Sequence, residues 1–170
     1  FDHAMDPEYA ECFNVYYYSD GYKVLDVPLS GRYLLIPDGM AVPEDYPEDM
    51  TVVNAEPDNI YIAATSSMSL FNAIEALDHV TLTGTDVSGW NIDAPKVALQ
   101  DGSMTYAGKY SEPDYELLTS KNCEVAIEST MIFHVPQVKE MLENLGIPVL
   151  LARDPGDCCI LGIGYLTENI

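Results

Sequence analysis

Residues 112–150, EPDYELLTSKNCEVAIESTMIFHVPQVKEMLENLGIPVL, decide the fold. Pro113 opens a helix at the position where a missing N–H costs nothing. Tyr115, Leu117, Leu118 and the later Cys123 supply its buried side, and Asn122 stops it. Val125, Ala126 and Ile127 follow as an apolar run with no polar alternation, as expected of a strand covered on both faces. Pro136, Val138, Met141, Leu142 and Leu145 then recur at helical spacing. Gly146 ends that helix, and residues 147–151 enter the next strand. Helix, strand, helix, strand is the grammar of a parallel sheet. A ligand belongs where such strands end and helices begin, here at Glu128, Ser129, Thr130 and Met131.

The same grammar extends upstream. Residues 60–64 read as a buried strand. Thr65, Ser66 and Ser67 read as a cap, and Met68, Leu70, Phe71, Ile74 and Leu77 share one face of the next helix. Residues 80–83 form a second strand, leading into Gly84 and a turn that reaches Trp90. A short helix over 94–100 and an extended piece from Met104 to Tyr106 complete the set. Alternating units of this length predict an α/β fold, a three-layer α/β/α sandwich around a mainly parallel sheet. Ahead of it, Phe13, Val15 and Tyr17 alternate, turns fall at 19–21 and 30–31, and residues 22–27 and 33–36 return, which predicts a small antiparallel β-meander. Residues 37–57 read as a loop rich in Pro, Asp and Glu, briefly interrupted at 51–53. The expected division is an N-terminal extension at 1–12, meander and acidic loop at 13–57, the α/β lobe at 58–151 and an atypical tail at 152–170.

Composition narrows the function. A net charge of −21 with only 7 Lys and Arg excludes nucleic acid as a partner, because phosphate binding needs a basic face. It equally opposes attraction to anionic lipid. An apolar content of 48% over 170 residues suits one folded core. No run is apolar and long enough to span a bilayer. The chain opens Phe1-Asp2-His3-Ala4 without Met, which reads as a mature or engineered fragment with its export signal removed. Cys12, Cys123, Cys158 and Cys159 match no zinc spacing, so no metal site is expected.

Enzyme signatures are missing: no Gly-x-Gly-x-x-Gly after a strand, no phosphate-cradling Gly-Lys-Ser/Thr loop, no Gly-x-Ser-x-Gly elbow. His3, His79 and His134 are scattered. No catalysis and no cofactor are expected. The strand ends offer something else: hydroxyls, Met68 and Met131, the aromatics Trp90, Tyr106 and Tyr110, and one cation, Lys109. Four loops, starting at Ala64, Gly84, Tyr106 and Glu128, should meet on one edge. Such a mixture suits non-covalent capture of a bulky, partly flat solute. The competing reading places Met68 and Tyr106 in the core and makes Trp90 a loop cover.

Three segments, PDNIYIAATSSMSLFNAIEALDHVTLTGT, YAGKYSEPDYELLTSKNCEVAIES and VKEMLENLGIPVL, resemble in that order the amino-terminal lobe of ABC-importer substrate-binding proteins. The group is the one with a rigid helical backbone between lobes, serving iron–siderophores, haem and cobalamin. The likeness runs from about Asp58 to Leu150, and residues 13–36 resemble the meander of a Firmicute-type branch. The middle motif stands here as Tyr115-Glu116-Leu117-Leu118 through Glu124-Val125-Ala126-Ile127. The resemblance implies a lobe that captures an iron chelate, haem or another macrocyclic small molecule and presents it to an ABC permease. It places the ligand loops at Ser66, Ser67 and Met68, at Trp90, at Lys109 and Tyr110, and at Ser129, Thr130 and Met131. The family's permease-docking glutamate falls on Glu116. It also implies the periplasm, or the outer face of the cell membrane through a lipid anchor.

In that family the strand at 147–151 continues into a long helix and a second lobe. Here Pro155 and Gly156 break any helix and the tail has no 3.6 period, so the second lobe is expected to be missing and its uncovered surface open to self-association. The alternative function is a flavodoxin-like or nitrogenase-component-like cofactor-binding enzyme domain, with Thr65, Ser66 and Ser67 as the phosphate nest. A third is a surface interaction module using the acidic residues Glu44, Asp45, Glu48 and Asp49, open to calcium although their spacing lacks loop-site logic.

Overall fold

A computed structural model of the chain describes residues 1–6, 13–28 and 30–152. Cys12, Cys158, Cys159 and the tail beyond Ala152 lie outside them. The chain begins with a sheet of five strands in the order β1-β2-β3-β4-β5: His3–Ala4, Asn14–Tyr17, Lys23–Val27, Gly31–Ile36 and Met50–Asn54. The first four pair antiparallel, as the alternation of Phe13, Val15 and Tyr17 led one to expect. Asp20 and Gly21 at the first turn take positive φ, 63° and 84°, the conformation that Asp and Gly tolerate best. The fifth strand corrects the sequence reading. The run at 51–53 is no interruption of a loop but the heart of β5, which lies parallel to β4 with Leu34 opposite Val52. A parallel neighbour demands a crossover of a dozen or so residues. The acidic segment 37–49 is that crossover.

The second half holds a parallel sheet in the order β12-β11-β6-β7-β8. Its strands are β6 (Ile60–Ile62), β7 (Leu82–Thr83), β8 (Thr105–Tyr106), β11 (Val125–Ser129) and β12 (Val149–Ala152). A short hairpin, β9 (Gly108–Lys109) with β10 (Glu112–Pro113), separates β8 from the next helix. The helices are α1 (Thr65–Ala73), α2 (Asp93–Asp101), α3 (Tyr115–Ser120) and α4 (Pro136–Asn144). The architecture is α/β, with helices on both faces of the parallel sheet.

Alternation within the short strands sorts the core. Ile60, Ile62, Val125, Ile127, Leu150 and Ala152 face one side, where Met68 and Phe71 of α1 meet Val15, Leu25, Tyr33, Leu35 and Val53 of the first sheet. Tyr61, Leu82, Ala126, Val149 and Leu151 face the other, against Leu118 of α3 and Val138 and Leu142 of α4. The two sheets thus share a core, and a hydrogen bond crosses it: the Leu151 amide, on edge strand β12, donates to the Tyr33 hydroxyl at 3.3 Å. An edge strand would otherwise leave that buried donor without a partner.

Three helix boundaries differ from the sequence reading. Pro113 sits in β10, not at the start of α3. Asp114 is the cap instead, its side chain accepting from the Leu117 amide at 2.9 Å, which satisfies a donor that Pro113 could not. The helix after β6 ends at Ala73, because Glu75 takes φ 61°. Ile74 is exposed and Leu77 belongs to a separate single turn. The expected cap residue Thr65 is the first helical residue, and Ala64 occupies the cap position without a side-chain bond.

Candidate functional site

The register of the parallel sheet brings the four expected loops together. Ile127, Ile62, Thr83 and Tyr106 form one row across β11, β6, β7 and β8. Immediately beyond it the chain continues as Glu128, Ala63, Gly84 and Ala107. Backbone bonds extend the row: Ala63 donates to Ile127 O at 2.9 Å, Gly84 to Ile62 O at 2.8 Å and Ala107 to Thr83 O at 2.9 Å. All strands point the same way, so every following loop leaves from one edge. That edge is the carboxyl edge, where open α/β sheets place ligands.

Gly84 lets the edge close up. A Cβ there would lie 2.9 Å from the Tyr61 hydroxyl and 3.0 Å from Ala63 Cα. Tyr61 in turn donates to Gly108 O at 3.1 Å, which ties the β8–β9 loop to the centre of the sheet.

The side chains divide into two groups. Lys109 and Met131 are exposed, Tyr110, Ser66, Ser129 and Thr130 are half-buried, and the Ser129 hydroxyl accepts from the Met131 amide at 3.3 Å. Ser67, Met68 and Trp90 are not on the surface. Met68 is 0% exposed and packs in the shared core, because α1 starts directly after β6 and its first turn already faces inward. Trp90 is 4% exposed, with its indole N–H donating to Thr85 O at 3.1 Å. It covers the core from the loop, while Tyr106, the other doubtful aromatic, is 39% exposed. Phe133 was missed by sequence reasoning. It stands 55% exposed on the single turn Thr130–His134 that follows β11, and its place in a run that scans as strand-then-loop, TMIFH, was the available signal.

Glu128, which the sequence placed at the strand end where a ligand belongs, is not on the surface either. It is wholly buried at the end of β11, and among the described residues neither carboxyl oxygen has a hydrogen-bond partner. Burial pushes its pKa up to about 8, since desolvation penalises the charged form. Its field reaches Tyr61 and Tyr115, whose hydroxyl pKa values are also raised, chiefly by burial. The Ser67 hydroxyl, on the first turn of α1, is likewise buried and without a hydrogen-bond partner among the described residues.

Glu116 stands exposed on the first turn of α3. It lines an open cleft with Tyr115, Thr119, Ser120 and Leu145. No group of three His, Cys, Asp or Glu able to hold a metal ion occurs among the described residues. No helix among them is long and apolar enough to cross a membrane. Of the acidic loop, Asp49 is taken up by Arg32 at 3.2 Å.

One solved structure shares the fold over part of its length. The periplasmic haem-binding protein HutB of Vibrio cholerae superposes with a TM-score of 0.50 at 17% identity, over 65% of this chain and 41% of its own. This chain has the fold of a periplasmic binding protein. The iron-uptake substrate-binding protein PiuA of Streptococcus pneumoniae aligns at 14% identity and a TM-score of 0.45, over 66% of this chain and 42% of its own. SirA of Staphylococcus aureus, complexed with staphyloferrin B, aligns at 11% identity and a TM-score of 0.45, over 69% and 41%. No protein-family model and no curated protein matches the chain. The chain therefore spans well under half the length of the binding-protein chains it resembles.

Proposed function

We propose that this chain is a solute-binding lobe of an ABC importer's substrate-binding protein, taking an iron chelate, haem or a cobalamin-type macrocycle and delivering it to a membrane permease. The observation that carries the reading is the convergence of four loops on the carboxyl edge of one parallel sheet. That edge presents Tyr106, Lys109, Met131 and Phe133, a flexible and aromatic surface with one cation. Such a surface suits a broad, flat solute, since aromatic rings and methionine offer area without fixed polarity. Ser66, Tyr110, Ser129 and Thr130 would add hydrogen bonds at its margin. The role is capture without chemistry, at the outer face of the membrane or in the periplasm.

Glu116 would dock the permease. A carboxylate at an exposed helix start interacts mainly through long-range attraction, so it would set encounter and orientation more than affinity. Glu116→Lys should then lower solute uptake in a reconstituted system while leaving solute binding unchanged.

The reading is tested by titrating the chain with haem, with ferric siderophores and with cobalamin, following the visible absorbance of each. Saturable binding of one of them, weakened about tenfold or more by Phe133→Ala with Met131→Ala, supports it. Absence of saturable binding across all three classes overturns it.

A further inference from the structure

A second concavity lies on the outer face of the first sheet, away from the shared core. It encloses about 310 Å³. Val24 and Leu34 form its floor, both buried. Its walls are aromatic: Phe1, Tyr18, Tyr22 and Tyr46. The crossover 37–49 is held over the sheet by the Tyr22 hydroxyl, which donates to Ala41 O at 2.7 Å, so the wall is tied down at its centre. Tyr18 and Tyr46 remain 37% and 36% exposed, open to a visitor. Phe1 packs edge-on against Tyr18, with centroids 5.9 Å apart.

Charge decides what the cavity takes. Asp45 is its one lining side chain with a formal charge. No ion pair or hydrogen bond occupies the Asp45 carboxylate among the described residues. Arg32, on the same face of the sheet, is already paired with Asp49. Tyrosine faces carry negative quadrupole potential and attract cations within about 6 Å, and the chain's net charge of −21 favours cations further. An anionic solute would meet a carboxylate and no basic side chain among the lining residues. The acidic crossover, which serves no role at the carboxyl edge, acquires one here.

We propose that this cavity binds an organic ammonium group, a quaternary or multiply methylated amine, between the tyrosine rings and the Asp45 carboxylate. The site is separate from the rim and stands whether or not the rim carries a solute. The same headgroup chemistry can arrive as a free amine or on a lipid, and the experiment distinguishes the two.

The test is calorimetric titration of the whole chain with choline and with its neutral isostere 3,3-dimethylbutan-1-ol. Choline should bind saturably, about fivefold or more tighter than the isostere. Asp45→Asn and Tyr46→Ala should each weaken choline about fivefold or more, while Tyr46→Phe, which keeps the ring, should not. Circular dichroism establishes that each variant is folded before it is scored. Sedimentation with phosphatidylcholine vesicles, against phosphatidylglycerol controls, assigns the source: co-sedimentation with the former alone makes it a lipid headgroup, and choline binding without co-sedimentation makes it a free amine. Equal affinity for choline and the isostere, no saturable choline binding, or full choline binding by folded Asp45→Asn and Tyr46→Ala each overturns the proposal.

Discussion

The two sheets are built from similar numbers of strands yet expose their chemistry in different places. From β2 to β4 the chain folds back on itself through short turns, and successive side chains alternate between the shared core and an outer face. The outer face carries Val24, Leu34 and Ile36 with the half-buried Tyr16, Tyr22, Met50 and Val52. A functional surface on this sheet is a face. In β6–β8, β11 and β12 both faces are buried under helices and the first sheet, so only an edge is left. Each loop on that edge arrives from a separate βα unit, and none is near its neighbour in sequence. The lesson is that antiparallel pairing displays side chains of adjacent residues, while parallel pairing collects distant ones.

This contrast is sharpest in the core. Ile62 is fully buried between the two sheets, whereas Val24 lies under one layer of loop. Ile62→Ala should lower unfolding stability by about 2–5 kcal/mol and Val24→Ala by only about 1 kcal/mol, by denaturant titration. Equal losses would mean that the outer face is packed as well as the shared core, and the comparison would fail.

Glu128 tests the edge itself. Its folded-state pKa, about 8, stands above the 4.5 of the unfolded chain. A raised carboxyl favours folding fully below the unfolded value and loses that contribution as pH rises toward the folded one. The chain should therefore lose stability between about pH 4.5 and pH 8, by an amount on the order of 5 kcal/mol. Glu128→Gln should flatten that dependence and stabilise the protein at pH 8. A variant with the same pH profile as the parent would show that Glu128 is not held in a dry site.

A smaller effect comes from Gly84→Ala. The added methyl would press on Tyr61 and on the Ala63 backbone, at a cost of about 1–3 kcal/mol. Solute affinity should fall with it, because the Tyr61–Gly108 bond orders the β8–β9 loop. An unchanged melting temperature would mean the edge yields more readily than its register implies. Smallest of all, Asp114→Ala removes the α3 cap and should lower stability by about 1 kcal/mol, read by urea titration. No loss would return the helix start to Pro113.

Much of the parallel half was legible from local pattern. Val125-Ala126-Ile127 announces a doubly covered strand, Pro136 and Gly146 bracket a helix, and the order of such pieces leaves a parallel sheet as the solution. The resemblance drawn from residues 58–150 agrees with the fold that HutB shares. The first sheet was legible from β2 to β4, where turns mark each reversal, but not at β1 or β5. Thr51, Val52 and Val53 are too few, and too surrounded by Pro, Asp and Glu, to announce a strand whose partner is reached by a crossover. For the rim, sequence order supplied the four loops, while it left the orientation of Met68, Trp90 and Tyr106 open between two readings.

What the sequence alone determined is the succession of the main strands and helices in the parallel half, and with it the edge on which the loops must gather. Periodicity and turn residues act within a few positions of each other, so they are readable one segment at a time. Tertiary structure decided which side chains of those loops face water and which face the core, and it decided that Glu128 is buried without a partner. Burial depends on what other segments lay over a residue, and here the covering elements lie tens of residues away along the chain.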